Sequence, residues 1–118
     1  MTTFLSRGPS ADDHIDDLVA RGYDVRVVNA SASGTDKTAV LREFAFALAL
    51  PDWFGHNWDA LLDALRDLDN AEGRPIALVW DHVRALREAD RHTYADVIEI
   101  LDQVESERDD LRVTVIAR

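Results

Sequence analysis

The sequence contains no cysteine. That excludes disulfides, Cys-ligated zinc and a thiol nucleophile, and it fits a reducing compartment. Long apolar runs are missing too. Asp, Arg or Glu interrupts every apolar stretch, so none reaches membrane-spanning length. The first residues, Met-Thr-Thr-Phe-Leu-Ser-Arg-Gly-Pro, lack the apolar core of a signal peptide. A cytoplasmic protein with no membrane partner is expected. Positive charge is scarce: 13 Lys and Arg face 23 Asp and Glu, a formal net charge of -10. Such a field repels phosphate backbones, which argues against direct nucleic-acid binding. It speeds encounter with a basic partner. A charge of this size also serves solubility alone, so its placement along the chain must decide.

Catalytic signatures are equally absent. There is no His-x-x-x-His, His-Glu-x-x-His or EF-hand pattern, no Gly-rich phosphate loop after a strand, and no Gly-x-Ser-x-Gly. His14, His56, His82 and His92 are scattered. Asp59 and Asp63 could serve Ca²⁺ or Mg²⁺ in principle, with His56 as a further ligand or acid–base group. His56 as a lone loop histidine reads better as a capping or surface residue. The expectation is therefore no enzyme, no catalytic residue, no metal and no cofactor.

What is present is one domain's worth of chain, 118 residues, of which 47% are hydrophobic. That is enough for a core without metals or disulfides. Three short runs rich in β-branched residues, 25–28, 76–80 and 111–116, read as buried strands. The second is apolar throughout, as central parallel strands tend to be. Helical patterns alternate with them. Ser10 opens the first, with Asp13 completing a capping box, and Gly22 stops it. The second begins near Asp36 and runs to Pro51. The third runs from about Asn57 to Leu68, and a weaker one covers 82–89. The last begins at Thr93 with Asp96 as its capping partner. This alternation predicts an α/β fold with a three-stranded parallel sheet packed by helices. No repeat, low-complexity tract or interdomain linker is visible.

Residues 50–68 carry the most information. Pro51 ends one helix, Gly55 frees the backbone to turn, and Asn57 caps the next helix. At about 100° per residue, Trp58, Leu61, Leu65 and Leu68 form a core stripe. Asp59, Leu62, Asp63 and Arg66 form the adjacent face. Asp59 and Asp63 stand one above the other, which is mildly destabilising for an isolated helix. Asp59 is excused by the helix dipole. Asp63 is excused only by Arg66. An acidic helix face is commonly just solvated. Here an aromatic loop, Trp53 and Phe54, adjoins the carboxylates, and that is the composition of binding hot spots. Trp80 reads as core, Trp58 lies at the edge of the core stripe, and Trp53 is the best exposed anchor.

The stretch Leu50-Pro51-Asp52-Trp53-Phe54-Gly55-His56-Asn57-Trp58-Asp59-Ala60-Leu61-Leu62-Asp63 resembles the signature of the barstar family of ribonuclease inhibitors. Weaker similarity runs from about Val25 to the C-terminus. The resemblance implies residues 23–118 as a barstar-like inhibitor domain and 1–22 as an N-terminal extension with a short helix. It implies a monomer that binds, one to one, a small, basic, secreted guanyl-preferring ribonuclease made by the same cell. The partner-binding residues it implies are Trp53, Gly55, Asn57, Trp58, Asp59, Leu62, Asp63 and Gln103. Asp63 takes a phosphate position. Two departures stand out: Leu62 replaces a tryptophan, and Gln103 replaces a glutamate on the last helix, with Asp102 and Glu105 as neighbours. The alternative reading is an acidic immunity module that neutralises a different basic toxin or nucleic-acid-binding protein.

Overall fold

The computed structural model describes residues 2–6, 8–51, 57–70 and 73–118. In chain order the elements are β1 (Thr3–Leu5), α1 (Gly8–Ala20), β2 (Asp24–Asn29), α2 (Lys37–Ala47) and α3 (Trp58–Arg66). Then come β3 (Ile76–Asp81), α4 (Arg84–Ala89), α5 (Arg91–Glu107) and β4 (Leu111–Ile116).

Every residue of β3 is buried: the apolar run 76–80 requires it, and Asp81 is held by the Arg118 guanidinium at 2.8 and 3.0 Å. Successive side chains of a strand point to opposite faces, so β3 divides between two cores. Ile76, Leu78 and Trp80 join the main core with α2, α3 and α5. Ala77 and Val79 join a smaller one with Ala11 and Leu18 of α1 and with Ile116. Helices therefore cover both faces of the sheet. At the centre of the main core Trp80 stacks on Tyr94 with ring centroids 5.7 Å apart and tilts against Phe44 at 5.9 Å.

The sheet is parallel throughout, but it has four strands in the order β1-β4-β3-β2, not three. The added strand is β1, in which Thr3 pairs with Thr114 and Leu5 with Ile116. It holds three residues, two of them exposed, and is too short to show a period.

Helix ends needed further corrections. α1 begins at Gly8, before Ser10, so Ser10 and Asp13 do not form its capping box. Pro9 sits in the first turn, where a missing N–H costs nothing because no intrahelical acceptor exists for it. α5 begins before Thr93: Asp90 is its N-cap and accepts from the Thr93 N–H at 3.0 Å. The Thr93 hydroxyl donates back to the same carboxylate at 2.7 Å. Thr93 is thus the third residue of the first turn, and a carboxylate one turn earlier supplies the acceptor. α2 ends at Ala47, ahead of Pro51, where Ala49 takes φ +51° and the Leu50 N–H reaches back to the Ala45 carbonyl, and α4 starts at Arg84, two residues later than its pattern suggests; the starts of α2 and α3 lie as the sequence indicates. Asp36 accepts from Ala39 N–H at 2.8 Å and Asn57 from Ala60 N–H at 2.8 Å. Gly22, at φ +89°, stops α1, and the Tyr23 N–H reaches back to the Leu18 carbonyl.

Candidate functional site

α3 is built to be held still. Asn57 satisfies its first turn. Leu61 and Leu65 are fully buried and Leu68 nearly so. At the other end the Arg108 guanidinium donates to the carbonyls of Leu65, at 2.9 Å, and Arg66, at 3.4 Å. A cation there satisfies open carbonyls and meets the negative end of the helix dipole. Arg108 is itself gripped by Asp110 at 2.7 and 2.8 Å, and Asn70 donates to the same carboxylate. These bonds, the Arg108 pair first, hold the Asp110 carboxyl down at about 2.

α3 is also tied sideways to α5. Arg66 donates to Glu107 at 2.7 and 2.9 Å, and Gln103 donates to the same carboxylate at 3.3 Å. The Arg66 bond, followed by that of Gln103, lowers the Glu107 carboxyl to about 2. Arg66 lies farther from Asp63, at 3.6 Å. The guanidinium is committed to Glu107, and the Asp63 side chain remains 75% exposed.

Between the two helices runs an open groove of about 250 Å³. Trp58, Asp59 and Leu62 line it from α3, and Asp96, Glu99 and Gln103 from α5, with Ile100 also contributing. Four of the residues singled out from the sequence, Trp58, Asp59, Leu62 and Gln103, thus share one groove. Asp63 lies on the other flank of α3, in a cleft floored by Leu48, Leu50, Pro51 and Leu68 and rimmed by Asp67 and Asp69. Asn57 is exposed at the helix start. Trp53 and Gly55 lie outside the described residues.

The ring of Trp58 is half-buried, and the Lys37 ammonium of α2 stands 4.9 Å from its centroid. This cation–π contact covers ring surface from within the protein.

Asp96, read from the sequence only as a helix cap, and Glu99 were not singled out for the site. The signal was the helical spacing of 96, 99 and 103, which puts all three on one side of α5. Of the three candidates on the last helix, only Gln103 reaches the groove. Asp102 accepts from the Thr2 hydroxyl. Glu105 is buried and accepts from the Val113 N–H at 2.7 Å. Both brace α5 against the sheet.

The face is one-signed. Among the described residues, Asp59 and Glu99 have no ion-pair or hydrogen-bond partner, and Asp96 pairs only with exposed His92, at 3.5 Å. Among the described residues no group of three or more His, Asp or Glu is placed to hold a metal ion. No described helix is long and apolar enough to cross a membrane.

The chain is thus a parallel α/β domain that presents an acidic face from two mutually braced helices. Residues 24–117 match the family model described as barstar, the barnase inhibitor, and the chain belongs to that family. No curated protein matches the chain.

Proposed function

We propose that the chain inhibits a small, basic, secreted-type ribonuclease of guanyl preference by seating α3 in its active site, one molecule to one. The family match supports an inhibitor of a barnase-type enzyme. The observation that carries the mechanism is the bracing of α3 by Asn57, Arg108 and Glu107, with Asp59 and Asp63 left outward. A ribonuclease holds phosphate with Arg, Lys and His. Carboxylates fixed on a rigid helix stand in for phosphate oxygens and accept charge-assisted hydrogen bonds from that cluster. Because the helix is ordered before binding, little entropy is lost in aligning them.

In this reading Asp63 takes the phosphate position. Asp59 and Gln103 bond the rim of the enzyme, while Trp58 and Leu62 supply the apolar contact. Asn57 closes the footprint on α3, and Trp53 and Gly55, just ahead of it in sequence, extend it. The protein acts in the cytoplasm of the producing cell, as a monomer, without cofactor, metal or activity of its own. Residues 1–22 form an extension to the inhibitor domain, and their role is packing.

The test is a titration of a barnase-type ribonuclease, cleaving a fluorogenic RNA, with the purified protein. Cleavage should fall linearly to zero at one equivalent. Full cleavage at a large excess of protein sinks the ribonuclease reading. In that event, one-to-one capture of a different basic toxin would favour the immunity-module alternative, for which Leu62 and Gln103, the two departures from the family pattern, are the relevant positions.

A further inference from the structure

Away from the α3–α5 groove, a second cavity of about 440 Å³ opens where α2 passes the free edge of the sheet. Val27, Asn29, Ser33, Arg42, Glu43 and Phe46 are among the residues lining it. Glu43 is only 5% exposed. Its Oε2 accepts from the Ser33 N–H at 2.6 Å, but among the described residues its Oε1 is buried with no partner. A buried acceptor without a donor is rare in a native fold and points to a missing group. Burial pushes the Glu43 carboxyl up, against the opposing pull of the Ser33 and Ala32 amides and of Arg42. The rim is apolar and unprotected: Phe46 is 89% exposed and Val27 45%.

The backbone beside this cavity is open as well. The β2–β3 ladder begins with Asp24 N–H on the Pro75 carbonyl and ends with Ala30 N–H on the Asp81 carbonyl. The even-numbered residues of β2 therefore face β3. Val25, Val27 and Asn29 turn their N–H and C=O groups to the free edge, where, among the described residues, only the Asn29 carbonyl has a contact, from Ala32 N–H at 3.5 Å. Sheet edges are normally guarded by charge, proline or a bulge. β2 has two charged residues, Asp24 and Arg26, but they pair with each other at 2.9 Å at its start, and Val25, Val27 and Asn29 carry neither charge nor proline.

We propose that the β2 edge and the α2 residues beside it form a second docking site, for an extended peptide segment whose basic side chain reaches Glu43. A strand fits because free backbone donors and acceptors line the groove. A basic side chain fits because the unpaired group is a carboxylate oxygen in a protein of net charge -10. Apolar neighbours on that peptide fit Phe46 and Val27. The site shares no lining residue with the α3–α5 groove, and it does not rest on the ribonuclease reading.

A display library of random dodecapeptides, selected on the full chain, tests it. The expected winners carry a Lys or Arg flanked by apolar β-branched residues. A synthetic winner should bind Glu43→Gln at least about tenfold more weakly, the cost of one charge-assisted bond. It should also bind Phe46→Ser more weakly and Asp63→Ala unchanged, and protect the Val27 and Asn29 amides from exchange. Phe46 is exposed, so Phe46→Ser keeps the test alive should Glu43→Gln fail to fold. Winners without a basic residue, equal binding to Glu43→Gln, or protection confined to residues 57–66 each overturn the proposal. So does dimerisation of the chain that Phe46→Ser abolishes, since the occupant is then a second copy.

Discussion

Arg66 has two acids within reach, and its preference sets the character of Asp63. The bidentate bond to Glu107 leaves Asp63 with a single contact at 3.6 Å. Exposed ion pairs at that spacing contribute about 0–1 kcal/mol. Asp63→Ala should therefore leave folding stability within about ±0.5 kcal/mol of the parent. Binding should suffer far more: an enzyme's buried Arg and His cluster would lose its counter-charge, at a typical cost of about 2–5 kcal/mol. Thermal unfolding and inhibition titrations of the variant separate the two quantities, with Asp67→Ala as a milder control. Normal inhibition, or an unfolded variant, would show that Asp63 is not a phosphate mimic. The capping role of Asn57 was legible from its place before an amphipathic run. The true partner of Arg66 was not, because Glu107 is 41 positions away and only the fold brings it near.

At the scale of elements, α3 depends on two carboxylates beyond its own span. Glu107 and Asp110 both titrate at about 2, below ordinary values of 4.5 and 3.8. A carboxyl whose folded pKa is depressed stabilises the fold fully above its unfolded pKa, and that stability is lost as pH falls through the folded value. Stability should thus decline from about pH 5 towards pH 2. Glu107→Gln and Asp110→Asn should each flatten part of that decline, read as melting temperature against pH. An unaltered acid slope in the double variant would mean that neither pair contributes to the fold. Three strands and the body of each helix could be read from β-branched runs and helical periods. The start of α5 could not, because Asp90 and Thr93 can each cap, and the choice depends on which first turn packs against the core.

The whole molecule carries a net charge of -10, and on its α3–α5 face Asp59 and Glu99 have no partner among the described residues. Such a field steers a cationic partner over distances that salt cuts to about 10 Å at 0.1 M. The association rate with the cognate ribonuclease should fall steeply as ionic strength rises, while the dissociation rate changes little. Stopped-flow mixing across a salt series measures both, and a flat association rate removes steering from the mechanism. The parallel α/β class was legible at this scale because strand and helix signals alternate. The edge strand was not, since its three residues pair only with the far end of the chain.

That pairing has a consequence in time. β2, β3 and β4 are joined in sequence order, each next to the one before, and can zip up progressively. β1 must instead find β4 across almost the full chain, with Thr3 meeting Thr114. Closing so long a loop is entropically slow, and contacts of large sequence separation retard folding. Three residue pairs are a small reward for it. β1 should consequently dock late and open early, ahead of global unfolding, as a separate cooperative unit. In native-state hydrogen exchange its amides, and that of Ala117, which bonds the Leu5 carbonyl, should exchange sooner than those of β3. The sheet would then have a hinged margin on one side and a permanent three-stranded centre.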